Sequence, residues 1–343
     1  MLRLPFVIAH SQPFEIPAPF CYKFFQRHNG NQPERSQLSQ RQLGYSVCNL
    51  ACASPGCKRP NDFAATDYIV LRLAIDPMPV DQRQANTGVI RRDPCAAVRL
   101  GGKNCAMAFK VNDRQYVEVS PQLKTETEDR LIRIAFETAD ARKLRTYLSG
   151  KGVTVPAKVG KDGNGNLSFV VKDPDGHSVQ FVQYMPGSQH SRDIGKHLAD
   201  TRISDHILHV GVRVTDPVRA DSFYKDILGF RLQWKGGRTD THFDWISMLV
   251  PDGHDWVEYM VSETRPAPQQ LGTMHHYCLS TLDIQKVNAT VIERGYKPPR
   301  PPNLARDGRW LLQLFDKNFT RTEMMVRKPA EKPCCSPMTD DVL

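Results

Sequence analysis

The segment His209-Val-Gly-Val-Arg-Val-Thr-Asp216 shares its pattern with a later segment, His276-Tyr-Cys-Leu-Ser-Thr-Leu-Asp283. Each begins with a histidine, continues with alternating apolar residues and reaches an aspartate seven positions later. A glutamate within a short apolar run follows each histidine, Glu258 after 49 residues and Glu323 after 47. Alternation of this kind is typical of half-buried strands, so the two segments predict a duplicated unit.

The same spacing extends toward the N-terminus. Arg133 begins a segment ending at Asp140, with Gln180 47 residues beyond the arginine. Ile69 begins another, with Glu118 49 residues beyond it. Four units are therefore predicted, of which the first is degenerate because Pro-Met-Pro at 77–79 disfavours a helix. The degenerate N-terminal pair is predicted to span 67–186, with units 67–121 and 130–186. The C-terminal pair is predicted to span 205–328, with units 205–263 and 272–328. Residues 1–66 are predicted to be disordered or irregular, and residues 329–343 to form a flexible tail.

Each unit is predicted to fold as β-α-β-β-β. The helix, such as 217–228, carries an apolar stripe, and the aspartate at plus seven is placed to cap it. A glycine such as Gly229 or Gly295 then ends the helix. Pro-Asp and Asp-Gly pairs mark the later hairpins. The predicted fold class is α+β, with βαβββ modules paired into two curved eight-stranded half-barrel sheets.

Four side chains are predicted to meet inside the C-terminal sheet: His209, Glu258, His276 and Glu323. Two imidazoles and two carboxylates suit one divalent ion such as Fe, Mn, Co, Ni or Zn. At the corresponding N-terminal positions the chain has Ile69, Glu118, Arg133 and Gln180. An aliphatic side chain and a guanidinium cannot ligate a metal, so only the C-terminal pair is expected to hold one.

The composition is that of an ordinary globular protein, despite a net charge of +9 over 343 residues. Residues 1–100 hold 12 Lys+Arg against 7 Asp+Glu, and no basic run carries interleaved aromatics, so nucleic-acid binding is not expected. No apolar run is long enough to span a membrane, and we expect a cytoplasmic protein. The nine irregularly spaced cysteines are expected to be free thiols, with Cys278 near the site.

These motifs resemble the vicinal oxygen chelate (VOC) superfamily, which includes glyoxalase I, the extradiol dioxygenases and the bleomycin-resistance proteins. The resemblance covers about residues 100–328. It implies a fold of paired βαβββ modules, a divalent metal and a small-molecule substrate. The segments that carry it are His209-Val-Gly-Val-Arg-Val, Phe223-Tyr-Lys-Asp-Ile-Leu-Gly-Phe230, Pro251-Asp-Gly253, Asp173-Pro-Asp-Gly-His-Ser-Val-Gln-Phe-Val182, Glu258, His276 and Glu323.

Three functions remain open on this resemblance. The four-ligand set is similar to that of glyoxalase I (lactoylglutathione lyase), which implies a lyase or isomerase with Glu258 and Glu323 as catalytic residues. The layout, with one half that lacks ligands and one half that carries them, is similar to that of the Fe(II) extradiol dioxygenases. This resemblance implies an iron site formed by His209, His276 and Glu323. The third is a non-catalytic binder of the resistance type. A homodimer is left open as the assembly.

Overall fold

Two eight-stranded sheets form the core of the protein in a computed structural model. The structure describes residues 2–10, 88–90, 107–120, 129–251, 253–316 and 319–339. The strands of the first, N-terminal sheet are β1 (Leu2–His10), β2 (Gly88–Ile90), β3 (Met107–Lys110), β4 (Tyr116–Ser120), β5 (Leu131–Thr138), β6 (Gly160–Lys161), β7 (Leu167–Lys172) and β8 (Ser178–Gln183). Those of the second, C-terminal sheet are β9 (Ile207–Val214), β10 (Arg231–Gly236), β11 (Trp245–Leu249), β12 (Trp256–Val261), β13 (His276–Thr281), β14 (Asn303–Leu304), β15 (Trp310–Phe315) and β16 (Arg321–Val326).

Both sheets have the same topology, which confirms the predicted fold class. The order is β2-β3-β4-β1-β5-β8-β7-β6 in one and β10-β11-β12-β9-β13-β16-β15-β14 in the other. In each, two antiparallel strands form the centre, and each of them pairs in parallel with the last strand of its own unit. The helices, in chain order, are α1 (Ala141–Gly150), α2 (Gln189–Arg192), α3 (Pro217–Tyr224), α4 (Pro268–Met274) and α5 (Ile284–Glu293).

The aspartate at plus seven caps the helix in three units, as predicted. Asp140, Asp216 and Asp283 each accept hydrogen bonds from two backbone N–H groups in the first turn of α1, α3 and α5. These bonds satisfy donors that the helix itself leaves without partners. Two details of the predicted helix 217–228 and its apolar stripe were wrong: α3 ends at Tyr224, and the apolar side chain of Val218 in its first turn is 79% exposed.

The strand register confirms the correspondence between Arg133 and His276. His276 pairs with Gly211 across β9 and β13, and Arg133 pairs with Ile8 across β1 and β5. The parallel pairs agree with this alignment. They make Glu118 and Gln180 the counterparts of Glu258 and Glu323.

The predicted first anchor was wrong. The position of His209, which pairs with Cys278, is taken in the N-terminal sheet by Phe6, which pairs with Ala135. Since β1 lies directly between β4 and β5, no place remains there for a strand beginning at Ile69. Residue 69 itself lies outside the described residues.

The expectation of disorder or irregular structure for residues 1–66 is therefore wrong for Leu2–His10. This strand shifts register between Arg3 and Phe6, on either side of Pro5. A proline lacks the N–H that a regular ladder needs, and a register irregularity accommodates it. The partners of β1 lie more than one hundred residues away in sequence, so nothing close to Leu2–His10 in the chain predicted this pairing.

The two sheets are joined by a shared core and by buried polar contacts. One cluster of buried side chains contains Phe136 and Phe181 from the N-terminal sheet together with Tyr224 and Phe230 from the C-terminal half. The Gln115 side chain exchanges hydrogen bonds with the backbone of Ile207, at 2.8 and 3.0 Å. This packing fixes where the loops of one half meet the strands of the other.

Residues 329–339, predicted as part of a flexible tail, make regular contacts with the C-terminal sheet. Trp234 donates its indole N–H to the carbonyl of Cys334 at 3.0 Å, and the backbone N–H of Thr339 donates to Gln233 at 2.9 Å. Cys334 and Cys335 form a disulfide, which corrects the expectation of free thiols for these two residues. Among the described residues, no helix has the length and apolar character needed to cross a membrane.

Candidate metal centre

His209, Glu258, His276 and Glu323 converge on the C-terminal sheet. The Nε2 atoms of the two histidines lie 3.1 Å apart. Oε2 of Glu258 is 3.9 and 3.4 Å from them, and Oε2 of Glu323 is 3.3 and 3.5 Å from them. Both imidazoles are fully buried. Four central strands, β9, β12, β13 and β16, therefore each contribute one ligand-type side chain to one point.

These separations fit a divalent cation. With metal–ligand bonds of about 2.0–2.2 Å, neighbouring ligand atoms lie roughly 3.0 Å apart in an octahedron and roughly 3.4 Å apart in a tetrahedron. The two imidazole nitrogens are 3.1 Å apart, and three of the four distances between imidazole and carboxylate atoms are 3.3 to 3.5 Å, with the fourth at 3.9 Å. Two nitrogens and two carboxylate oxygens are also a donor set that Mn, Fe, Co, Ni and Zn accept. The residues present thus fit the predicted ion.

Neighbouring strands hold the two imidazoles in place. Gly211 lies opposite His276, and its missing side chain leaves the space that the His276 ring fills. Trp256 lies beside His209 in the register of β12 and β9, with ring centroids 4.8 Å apart. Gly211 is therefore part of the site, because the absence of a side chain there makes room for the His276 ring.

Arg321 also belongs to the site, although the sequence did not suggest it. Its Nη1 lies 3.1 Å from Oε1 of Glu323, and its Nη2 lies 2.7 Å from Nδ1 of His276. Arg321 precedes Glu323 by two positions on β16, and strand residues two apart share a face. The two-residue spacing from Glu323 could have predicted that Arg321 lies at the site, but the prediction rested only on the glutamate and the apolar residues around it.

The His276 ring faces two competing partners at Nδ1. Arg321 can only donate to this nitrogen, whereas the carbonyl of Met274, at 3.0 Å, can only accept from it. With a proton on Nδ1, the ring donates to Met274 and keeps a free lone pair on Nε2 for a metal. Without that proton, Nδ1 accepts from Arg321 and the proton moves to Nε2. Arg321 therefore favours the tautomer that cannot ligate through Nε2.

The two carboxyl groups are held in the charged form. Burial would raise the pKa of Glu323, but the adjacent Arg321 and His276 outweigh this and hold that pKa well below its usual range. Burial acts against the ionisation of Glu258 as well, yet its hydrogen bond with His276 and the charge of His209 lower its pKa. Gln313 adds a 3.3 Å hydrogen bond to Glu323. Both carboxylates are thus available as anionic ligands.

Two further residues beside the histidines have different roles. Cys278 lies near the site as expected, with its sulfur within 4.8 Å of ligand atoms of His209 and Glu323. Burial, and then the nearby carboxylates, raise the pKa of this thiol far above its usual value. His275 does not reach the centre, since its Nδ1 is bonded to Asp129 at 2.5 Å.

The N-terminal sheet has no equivalent ligand set among its described residues. At the positions of Glu258 and His276 it carries Glu118 and Arg133, which form an ion pair at 3.8 Å. Gln180 is the counterpart of Glu323. A fixed guanidinium charge thus stands where the C-terminal sheet places an imidazole.

Paired βαβββ modules with a His/Glu centre on one sheet define the class of protein to which this chain belongs. The sequence matches the Glyoxalase/Bleomycin resistance protein/Dioxygenase superfamily over residues 93–181 and 206–317, and the chain is a member of that superfamily. No curated protein sequence matches the chain significantly.

Solved structures with the same fold include enzymes of two kinds. The Mn(II)-bound glyoxalase from Novosphingobium aromaticivorans is 15% identical, with a TM-score of 0.52, over 73% of this chain and 79% of that one. The 2,3-dioxygenase LapB from Pseudomonas sp. KL28 is 12% identical, with a TM-score of 0.53, over 74% and 90%. The 2,2',3-trihydroxybiphenyl 1,2-dioxygenase from Sphingomonas wittichii strain RW1 is 12% identical, with a TM-score of 0.51, over 99% and 98%. At these identities the comparison establishes a common fold.

Proposed function

We propose that the chain is a metal-dependent lyase or isomerase of the glyoxalase I type, acting on an α-oxygenated carbonyl compound. The observation that carries this proposal is the position of Glu258. Its carboxylate lies 3.4 Å from His276 Nε2 and 3.9 Å from His209 Nε2, beside the same nitrogens that Glu323 approaches. A four-ligand set uses this glutamate, whereas a set of two histidines and one glutamate does not need it.

His209, Glu258, His276 and Glu323 would hold the ion. A divalent cation held there would supply Lewis-acid charge beside a substrate oxygen, which would favour loss of a proton from the neighbouring carbon. The buried setting strengthens this electrostatic effect, because little water screens the charges.

Glu258 is the better candidate for the general base. Its side chain is 16% exposed, against 4% for Glu323. Glu323 is also held by Arg321 and Gln313, whose donors occupy its Oε1 atom. A base must reach the substrate carbon and move a proton between two positions, which favours the carboxylate with fewer fixed partners. Glu323 would then serve as a ligand and as the anionic partner of Arg321.

Proton exchange in deuterated water tests this proposal directly. The metal-loaded protein is incubated with a panel of 2-hydroxycarbonyl compounds and thiol hemithioacetals of 2-oxoaldehydes, and loss of the proton next to the carbonyl is followed by NMR. We expect exchange with at least one substrate class, and a drop of about a hundredfold or more in Glu258→Gln, the scale of a missing general base. Full exchange in Glu258→Gln, or none with stoichiometric metal across the panel, would contradict the proposal.

An Fe(II) extradiol dioxygenase is the second candidate, and the arrangement of the two sheets favours it. One sheet carries the ligand set, and the other carries Arg133 at the corresponding position, a layout that suits a two-domain enzyme with one active centre. Oxygen uptake with catechols on Fe(II)-loaded protein, unchanged by Glu258→Gln, would support this reaction. Binding of small molecules that survives His276→Ala combined with Glu323→Ala would instead indicate a non-catalytic binder.

A further inference from the structure

A second cluster of ligand-type side chains lies where the two halves of the molecule meet. Asp129 lies just before β5, His177 lies in the turn between β7 and β8, and His275 immediately precedes β13. Each offers one ligand atom, and these atoms all lie within 4.8 Å of one another. The cluster draws on both sheets and shares no residue with the centre described above.

His177 is oriented in the way that metal-binding histidines are. Its Nδ1 lies 2.8 Å from Oδ2 of Asp173, and that carboxylate also accepts the hydroxyl hydrogen of Tyr224 at 3.0 Å. Because an ionised carboxylate only accepts hydrogen bonds, Nδ1 carries the proton and Nε2 keeps its lone pair. A carboxylate on the far nitrogen commonly fixes the tautomer and raises the basicity of a ligating imidazole.

His275 reaches the cluster through the nitrogen that faces Asp129. Its Nδ1 lies 2.5 Å from Oδ1 of Asp129, so an ion bound by both side chains would take the place of the proton that they share. The rings of His275 and His177 stand edge to face with centroids 5.0 Å apart. Both imidazoles and the carboxylate thus lie within reach of one point.

We propose that Asp129, His177 and His275 bind a second divalent cation with the ligand preferences of zinc. Two imidazoles and one carboxylate form a familiar ligand set for such ions, with remaining positions for water. The Asp129 side chain is 35% exposed, which leaves the site open to solvent. The ion would link the turn of the N-terminal sheet to the residue before His276, and so steady the start of β13.

Zinc stoichiometry of the full-length protein tests the second site. Metal-free protein is titrated with Zn²⁺ by calorimetry, and the bound metal is then measured by elemental analysis after dialysis. We expect two equivalents per chain in the wild type. His177→Gln should retain one, with binding of the other weakened at least about a hundredfold, since even loss of an outer partner costs 10–100-fold. His197→Gln, which changes an exposed histidine of the same half, should retain both equivalents.

Variants that remove one site at a time distinguish the two sites. His209→Gln removes a ligand of the central site and should leave one equivalent, which His177→Gln in the same chain then abolishes. One equivalent in the wild type that His177→Gln does not change would overturn the second site and leave the proposed function intact. Should His177→Gln fail to fold, Asp129→Asn at the more exposed ligand gives the same test, and two unchanged equivalents there would also overturn the proposal.

Discussion

Gly211 and His276 face each other across β9 and β13, and a Cβ atom at residue 211 would lie 2.0 Å from Cε1 of the imidazole. It would also lie 2.1 Å from Nδ1. No rotation of a methyl group avoids such an overlap. The ring, which lies fully buried, would have to leave the position from which it reaches His209 and Glu323.

Gly211→Ala should therefore abolish metal binding at the central site. We expect affinity for Mn²⁺ or Zn²⁺ at this site to fall at least about a hundredfold, with a loss of stability of roughly 1–3 kcal/mol from overpacking. Calorimetric titration and denaturant unfolding measure the two effects. Gly150→Ala is the matched control, because nothing lies within 4 Å of a Cβ at that position. Wild-type affinity in Gly211→Ala would show that the His276 ring is not held there.

Replacing Arg321 by methionine should tighten metal binding. The guanidinium places a positive charge beside His276 and Glu323 and favours the His276 tautomer without a free Nε2 lone pair. A unit charge at about 4 Å is worth roughly 4 kcal/mol at an effective dielectric constant of 20, so its removal should raise affinity by at least about tenfold. The metal-free variant should melt at a lower temperature, since the buried Glu323 carboxylate loses its cation.

Arg321→Lys separates the two effects, because it keeps the charge but not the planar fork. Its metal affinity should stay closer to that of the wild type than that of Arg321→Met. Competition with a fluorescent chelator gives the affinities, and melting with and without metal gives the stability. Weaker binding in Arg321→Met would show that the arginine supports the ion instead of opposing it.

The aspartate that caps α5 should contribute to stability but not to chemistry. Asp283 accepts hydrogen bonds from the backbone N–H groups of Gln285 and Lys286 at 2.9 and 3.0 Å. Asp283→Ala should cost about 1 kcal/mol of unfolding free energy, and Asp283→Asn much less, because asparagine also caps helices. Both variants should bind metal as the wild type does. A marked change in metal affinity would mean that the cap positions the site.

A proline in β1 should destabilise the N-terminal sheet. The strand is central, with β4 on one side and β5 on the other, so Ile8→Pro removes a ladder donor and should cost about 3 kcal/mol or more. Pro5→Ala is the control, since residue 5 lies within the register shift and should tolerate the change. Hydrogen exchange at β5 and denaturant unfolding measure the effect. Equal stability of the two variants would argue against β1 as a central strand.

The repeated units could be predicted because their signals are local. An alternating strand, an aspartate that caps the next helix and a glycine that ends it all lie within about twenty residues. The convergence of His209, Glu258, His276 and Glu323 followed from the register, since residues at matching places in two copies share one face of the sheet. Arg133 and Gln180 were placed correctly for the same reason.

The remaining features depend on contacts that sequence spacing does not reveal. Leu2–His10 pairs with strands far along the chain, so nothing near it predicted a sheet. The spacing and the aspartate at plus seven made Ile69 a false anchor, although the prolines at 77 and 79 disfavour the helix that should follow. Arg321 is buried only because His276 and Glu323 surround its charge, and a cation in a strand ordinarily faces solvent.

The central place of β1 gives the two sheets different contact ranges. In the N-terminal sheet, Phe6 pairs with Tyr116 and Leu2 with Thr138, 110 and 136 positions away. In the C-terminal sheet, His209 pairs with Trp256 and Cys278, 47 and 69 positions away. Pairing over longer loops carries a larger loop-closure cost and slows folding. The sheet that carries His209 and His276 should therefore form faster than the one centred on β1.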